Sequence, residues 1–171
     1  SKVFHVEVDE RVTKVREVLP GANCGGCGFA GCDAYAAAVG SGGAPTDLCV
    51  VGGTAVAMQV GEIMGVEACP QEKFVAFVPC SGTDGVAKNF FDYEGPESCV
   101  AAMRFGNKGP KECQFSCIGL GDCACACKFD AMHIVNGVAE VNREKCVGCK
   151  ACIAACPKDI VKMVPYNQKV L

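Results

Sequence analysis

The chain has 171 residues, of which 16 are cysteine, and its formal net charge at pH 7 is −3. Its 16 basic and 19 acidic side chains exclude the strongly basic composition of a general nucleic-acid-binding protein. No uncharged run reaches the ~20 residues that cross a bilayer, and no secretory signal lies in this stretch of sequence. The cysteine content meets the ~8–10% that marks a cysteine-rich scaffold, so disulfides, zinc, free thiols or iron–sulfur clusters must account for it.

The first third of the chain is predicted to form a small helical domain. Apolar and polar residues alternate over Val3–Val8, as in a short strand. Asp9 is a suitable N-cap for a helix that ends at Pro20. Two further helices are predicted over Ala34–Val39 and Thr54–Gly65, because their apolar side chains recur at helical spacing.

A glycine-rich loop lies between the first two helices. It reads Cys24-Gly-Gly-Cys27-Gly-Phe-Ala-Gly-Cys32, and Cys49 follows after 16 residues. Thiols this close together cannot easily all find separate disulfide partners at the required separations. The glycines let backbone N–H groups approach the sulfurs, as they do around iron–sulfur clusters. The four cysteines are therefore predicted to hold a cluster, with a zinc loop as the alternative.

The middle of the chain has a weaker pattern. A strand is predicted over Phe74–Val78, whereas Gly82–Gly109 is rich in Gly, Asn and Asp and has no apolar periodicity, as in a linker or an inserted loop. The spacing of Cys69, Cys80 and Cys99 is irregular. We interpret them as thiols that pack like small apolar residues, or, with one more ligand, as part of a fourth cluster near Cys80 and Cys99.

The last third contains an internal repeat of 29 residues, and each copy has a cysteine loop, a short helical turn and a strand. Between the copies, Asn136-Gly137 is flanked by alternating apolar residues and predicts a β-hairpin. A repeat this short cannot bury a core alone, so the two copies are predicted to share one in a two-fold-symmetric α+β domain. The offset relates three cysteine pairs: Cys117 and Cys146, Cys123 and Cys152, Cys127 and Cys156.

The second copy carries the strongest motif, Cys146-x2-Cys149-x2-Cys152-x3-Cys156-Pro157. Three thiolates at this spacing can surround one face of a four-iron cluster, and the fourth, followed by proline, points to the neighbouring cluster. Zinc sites instead usually have two separated C-x2-C pairs. The crossover of the fourth cysteine predicts one ligand set made of Cys127, Cys146, Cys149 and Cys152.

The first copy departs from this motif. Leu120 stands where the second ligand is expected, and Lys128 stands where proline is expected. Either Cys113 loops back through the flexible Gly119 and Gly121, or the cluster has three protein ligands and three irons. We favour the first alternative. Cys125 lies between two ligands and is interpreted as a spare thiol. The favoured ligand set is Cys113, Cys117, Cys123 and Cys156.

No other motif indicates catalysis. The chain has no Gly-x-Gly-x-x-Gly after a strand and no Ser/His/Asp arrangement, so we predict no catalytic residue and no complete active site on this chain alone. Lysines are concentrated near the C-terminal end. They either form a solvated face or receive an acidic carrier such as soluble ferredoxin. These are Lys145, Lys150, Lys158 and Lys162.

Several stretches carry a resemblance to a known family. Residues 21–39, followed by Cys49-Val-Val-Gly-Gly53, resemble the N-terminal four-iron domain of the B subunit of the Rnf complex, a membrane-bound ferredoxin:NAD+ oxidoreductase that translocates Na+ or H+. The stretch Lys111-Glu-Cys-Gln-Phe-Ser-Cys-Ile-Gly-Leu-Gly-Asp-Cys123 and the ferredoxin repeat after it are similar to the clostridial-type version. The regions Phe77–Gly82 and Asp92–Ala101 are similar to its insert. The resemblance covers nearly the whole chain.

The resemblance implies an electron-relay subunit with three [4Fe–4S] clusters, working within an oxidoreductase and translocase. It would pass electrons between soluble ferredoxin and the other subunits at the cytoplasmic face of the cell (inner) membrane, and a membrane helix would precede Ser1. Asp84 stands where the family often has a cysteine, which disfavours a fourth cluster. The implied ligand sets are Cys24, Cys27, Cys32 and Cys49; Cys113, Cys117, Cys123 and Cys156; and Cys127, Cys146, Cys149 and Cys152.

Together these patterns predict an α+β chain in three parts. Residues 1–70 would form a small helical Fe–S domain, residues 71–110 an irregular insert or linker, and residues 111–171 a two-cluster, bacterial ferredoxin-like domain of βαβ repeats. Two other functions stay open. A soluble polyferredoxin would lack an upstream hydrophobic segment, and a zinc-stabilised interaction module would not absorb visible light.

Overall fold

The computed structural model describes residues 9–105 and 108–169. The chain divides into two compact units, residues 1–73 and residues 74–171. The strand predicted over residues 3–8 lies outside the described residues. Among the helices that are described, none has the length and apolar character needed to span a membrane.

The first unit is helical, as predicted. The Asp9 carboxylate begins the first helix by accepting a hydrogen bond from the backbone N–H of Arg11 at 2.9 Å. Gly65 ends the third, because its φ of 68° gives the left-handed cap that favours glycine. Buried Val15, Tyr35 and Val60 join the helices in one core. The described helices are α1 (Glu10–Val18), α2 (Cys32–Gly40) and α3 (Gly53–Met64).

The second unit contains two small antiparallel strand pairs and three short helices among its described residues. β1 pairs with β4, placing Phe74 opposite Pro165, and β2 pairs with β3, placing Met132 opposite Val141. The elements are β1 (Phe74–Phe77), α4 (Cys99–Phe105), α5 (Asp122–Cys125), β2 (Met132–Val135), β3 (Val138–Val141), α6 (Ala151–Ala155) and β4 (Lys162–Pro165).

The 29-residue repeat is visible in the backbone of this unit. One half is β1–α5–β2 and the other is β3–α6–β4. Gly119 and Gly148 occupy equivalent positions with φ values of 89° and 74°, and Asp130 and Asp159 both have φ of 51°. The halves share one core, to which Val75 of β1 and residues of both cysteine loops contribute. The mixed helical and strand character of the prediction is therefore confirmed.

The middle of the chain differs from the prediction in two ways. Because β1 pairs with β4, residues 74–110 belong to the second unit and do not stand apart as a linker. The irregular structure predicted over Gly82–Gly109 is wrong at α4, whose seven residues are too few for a periodic pattern. The strand predicted over Phe74–Val78 is present as β1. Its pairing with β4 and the position of α4 depend on partners distant in the sequence, which a local pattern does not contain.

Candidate metal centres

Four cysteines of the first unit line one cavity. Three reach it from the glycine-rich loop and the start of α2, and the fourth comes from the segment before α3. The Asn23 side chain closes the loop by accepting a hydrogen bond from the backbone N–H of Cys32 at 2.8 Å. Apolar side chains, including Leu19 and Val50, form much of the remaining wall. The four cysteines are Cys24, Cys27, Cys32 and Cys49, the complete predicted set.

Tyr35 connects α2 to the segment that carries Cys49. Its buried hydroxyl donates a hydrogen bond to the carbonyl of Pro45 at 2.9 Å and accepts one from the backbone N–H of Leu48 at 3.1 Å. Burial raises the pKa of Tyr35 to about 12, which widens the pH range over which the hydroxyl stays protonated and can donate. The side chain thereby positions the residue next to Cys49.

A second cavity lies in the second unit, between the two cysteine loops. Its thiols come from the end of the first loop and from three positions of the second. Two sulfurs accept backbone hydrogen bonds at 3.4 Å, Cys146 from the N–H of Ala76 and Cys127 from the N–H of Ala131. The cysteines that line this cavity are Cys127, Cys146, Cys149 and Cys152, again the complete predicted set.

A third cavity contains three of the four cysteines predicted for it. Its walls are mostly apolar and include Val78 and Ile118. The favoured fourth ligand, Cys113, is exposed and does not line the cavity. Cys99, at the start of α4, lines it instead. The sequence offered no spacing signal for this position, because α4 lies in the segment predicted to be irregular. The lining cysteines are Cys99, Cys117, Cys123 and Cys156.

Burial governs the protonation of these thiols. It raises the pKa of Cys123 to about 12 and that of Cys152 to about 11, and neighbouring cysteines add to both shifts. Burial also raises the pKa of Cys49 and of Cys117, although backbone N–H groups directed at the Cys117 sulfur oppose the rise. Metal binding at these positions must therefore displace protons, since only the thiolate is a strong ligand.

The other cysteines line none of these three cavities. Cys69 and Cys125 are exposed, in keeping with the interpretation of Cys125 as a spare thiol. Cys80 is half-buried, and its sulfur accepts a hydrogen bond from the backbone N–H of Cys117 at 3.3 Å. Cys80 therefore contacts a residue of the third cavity, Cys117, but does not itself line that cavity. Cys99, in contrast, lines the third of these cavities.

The donor sets fit iron–sulfur clusters. All-thiolate ligation, apolar walls and backbone N–H groups aimed at sulfur are the features through which proteins hold and tune such clusters. In residues 9–105 and 108–169, no group of three His, Cys, Asp or Glu side chains is arranged to hold a single metal ion. The thiols instead surround their cavities in groups of four.

Comparison with known domain families agrees with these positions. Residues 19–51 match the family described as "Putative Fe-S cluster", and residues 139–162 match the 4Fe-4S binding domain. The first match contains the whole glycine-rich loop and Cys49, and the second contains the C-x2-C-x2-C-x3-C motif. These two segments of the chain are thus similar to an iron–sulfur domain and to a ferredoxin-type domain.

Three curated relatives resemble the chain over most or all of its length. The B subunit of the Na+-translocating ferredoxin:NAD+ oxidoreductase complex of Acetobacterium woodii is 48% identical, covering 100% of this chain and 51% of that protein. The B subunit of the ion-translocating oxidoreductase complex of Methanosarcina acetivorans is 42% identical, covering 87% of this chain and 56% of that protein. The B subunit of the proton-translocating ferredoxin:NAD+ oxidoreductase complex of Clostridium ljungdahlii is 44% identical, covering 100% and 61%.

These similarities confirm the resemblance predicted from the motifs. The chain is similar to the B subunits of Rnf-type, ion-translocating oxidoreductase complexes. It spans between 51% and 61% of the length of these relatives.

Proposed function

We propose that the chain is the cluster-bearing part of an electron-relay subunit in a membrane-bound complex. This complex would couple electron transfer between ferredoxin and NAD+ to the translocation of Na+ or H+. The observation that carries the proposal is the presence of three cysteine-lined cavities in a chain that resembles the B subunits of such complexes over its whole length. In this proposal the enzyme activity belongs to the assembly, and this chain relays electrons within it.

Three [4Fe–4S] clusters are proposed, two of them with complete ligand sets. When bound, such a cluster accepts and releases a single electron. The first unit would hold one, and the second unit would hold two. The third cavity contributes Cys117, Cys123 and Cys156 to its cluster, together with one further thiol. The two complete sets are Cys24, Cys27, Cys32 and Cys49, and Cys127, Cys146, Cys149 and Cys152.

The surrounding residues would adjust the sites in two ways. Apolar wall residues such as Met132 and Val161 keep water from the sulfurs. Backbone N–H groups, such as that of Ala76 on Cys146, partly neutralise the charge of the thiolates. Both effects contribute to the reduction potential of a protein-bound cluster.

Soluble ferredoxin is the proposed electron partner, and the cytoplasmic face of the membrane is the proposed location. The C-terminal lysines are partly engaged within the chain. Lys145 pairs with Asp130 at 2.5 Å, and Lys162 pairs with Asp159 at 3.2 Å. Lys150 is exposed and lines the second cavity, so an acidic carrier that contacts it would lie beside that site.

Iron and acid-labile sulfide per chain, measured on protein purified without oxygen, test the proposal. We expect about 12 irons for three four-iron clusters, with low-temperature EPR signals of reduced [4Fe–4S] clusters after reduction by ferredoxin. Zinc without iron would support an interaction module. Iron that ferredoxin cannot reduce would contradict the relay function.

A further inference from the structure

The two halves of the second unit differ at one ligand position. In the second half, Cys149 lines the cavity beside Cys146 and Cys152. The 29-residue offset places Leu120 at the corresponding position of the first half. Leu120 has no thiol, so the first half lacks a ligand that the second half has.

The two halves also differ in the number of residues that separate the strand from the cysteine loop. The backbone N–H of Ala76 on β1 contacts the sulfur of Cys146, and that of Ala139 on β3 contacts the sulfur of Cys117, so β1 and β3 are equivalent. Cys146 follows the end of β3 by five residues, whereas Cys117 follows the end of β1 by forty. The first half therefore contains a long insertion immediately before the loop that lacks a ligand.

The insertion brings a cysteine to the missing position. Cys99, Ala102 and Ile118 form a small buried cluster, and Leu120 packs against it. α4 thus lies over the residue that replaces the ligand. The Cys99 side chain lines the cavity and is 8% exposed, which matches the 7% of Cys117 and the 6% of Cys123. Its burial and position are those of the neighbouring ligands.

Asp122 holds α4 against the cysteine loop. Its carboxylate accepts hydrogen bonds from the hydroxyl of Ser98 at 3.1 Å and from the backbone N–H of Val100 at 3.0 Å. These two residues flank Cys99, and Asp122 itself directly precedes Cys123. The interaction therefore sets the positions of two cavity-lining cysteines relative to each other.

A buried lysine anchors the other end of the insertion. Lys111 is 7% exposed, and its amino group donates hydrogen bonds to the carbonyls of Gly82 at 2.8 Å and Gly137 at 2.7 Å. The backbone N–H of Asp84 also donates to the carbonyl of Asn136 at 2.8 Å. The insertion is consequently packed on the hairpin of the second unit by several contacts.

We infer that Cys99, and not Cys113, is the fourth thiolate ligand of the cluster held by Cys117, Cys123 and Cys156. The inference rests on the proposed function, because it requires a cluster at this site. The insertion after β1 replaces the ligand lost at Leu120, and Asp122 is a positioning residue for the replacement. Each ligand exchanges its S–H bond for an Fe–S bond and releases a proton.

Paired cysteine substitutions test this inference. Cys99→Ala and Cys113→Ala are prepared without oxygen beside the unchanged chain, and iron per chain and low-temperature EPR of oxidised and reduced protein are measured. We expect Cys99→Ala to lose between one and four of about 12 irons, with an oxidised three-iron signal where one iron is lost. Cys113→Ala is expected to keep the iron content and EPR spectrum of the unchanged chain.

A rescue variant distinguishes the loss of a ligand from misfolding of the chain. Leu120→Cys in the Cys99→Ala background restores the C-x2-C spacing of the second half, so iron and the reduced four-iron signal should return. Full iron in Cys99→Ala, loss of iron from Cys113→Ala, or no recovery in the double variant would overturn the inference. If the unchanged chain itself binds no iron, the proposed function is contradicted as well. This outcome distinguishes failure of the proposed function from failure of the Cys99 assignment.

Discussion

At the scale of single residues, Tyr35 positions the segment that precedes Cys49 although it is not itself a candidate ligand. Its ring packs against Phe29 with the centroids 5.4 Å apart, while its hydroxyl bridges Pro45 and Leu48. The ring contributes to the core, and the hydroxyl fixes the segment that leads to Cys49. These two roles are separable, because phenylalanine keeps the first and removes the second.

We expect Tyr35→Phe to weaken cluster binding at the first cavity without unfolding the helical unit. The substitution removes two hydrogen bonds, each with a net contribution of about 1 kcal/mol, from the segment before Cys49. The first cluster should therefore be lost to a chelator several-fold faster than the clusters of the second unit. Cluster loss is followed by the decay of visible absorption and by residual iron.

Tyr93→Phe is the matched control for this change. The hydroxyl of Tyr93 also donates to a backbone carbonyl, that of Pro96 at 3.0 Å. This hydrogen bond is exposed and lies in the second unit. Its removal should change stability by less than about 0.5 kcal/mol. Equal rates of iron loss in both tyrosine variants and the unchanged chain would show that Tyr35 does not position Cys49.

At the scale of elements, each cysteine loop is held against a strand by a glycine. A Cβ atom built on Gly119 would overlap the Gly137 carbonyl oxygen, which directly precedes β3. One built on Gly148 would come within 2.6 Å of the Phe74 carbonyl oxygen on β1. The equivalent contacts bring the loops close enough for strand N–H groups to reach the sulfurs. The cysteine loop of each half is therefore packed against the strand of the other half.

Gly119→Ala is expected to destabilise the second unit strongly. The left-handed φ costs about 1–2 kcal/mol for a residue with a Cβ, and displacement of the hairpin backbone adds about 1–3 kcal/mol. Gly85→Ala is a matched control, because Gly85 has φ of 90°, close to the 89° of Gly119, and no atom near the added Cβ. Apparent melting temperatures measure the difference, and equal losses in the two variants would exclude the steric contact.

At the scale of the whole molecule, the candidate metal sites are part of the cores. Cys117, Cys123, Cys146 and Cys152 belong to the same buried cluster as Val75 and Val161. In the first unit, Cys27, Cys32 and Cys49 pack against the buried helix residues. Clusters bound by these thiols would fill space that apolar side chains fill in other small domains. Each unit would therefore depend on its own metal for stability.

Removal of the clusters should lower the stability of both units. The free energy of binding at such sites acts as folding energy, because the unfolded chain has no preformed site. We expect anaerobic protein stripped of iron to have a lower apparent melting temperature and faster proteolysis than the loaded protein. Reconstitution with iron and sulfide is the control and should restore both. Unchanged melting after complete removal of iron would mean that the cores are stable without metal.

The cysteine motifs allowed much of the candidate site to be predicted. Spacing alone led to the sets completed by Cys49 and by Cys127. In each set three cysteines lie in a short loop, which can surround one face of a cluster, and one distant thiol completes the set. The helices around Val15 and Val60 and the hairpin at Asn136-Gly137 were also predictable, because helical periodicity and turn chemistry are local. In contrast, the partner of β1 lies just over ninety residues away, at Pro165 for Phe74, and no local pattern encodes such a pairing.

The sequence by itself determined the class of chemistry, the repeat and the helical first unit, because these depend on residue type and short-range spacing. Only the tertiary structure decided where the middle of the chain belongs. The position of Cys99 depends on the carboxylate of Asp122, on packing against Leu120 and on the pairing of β1. Each of these contacts joins residues that are distant in sequence, so their effect appears only after the chain has folded.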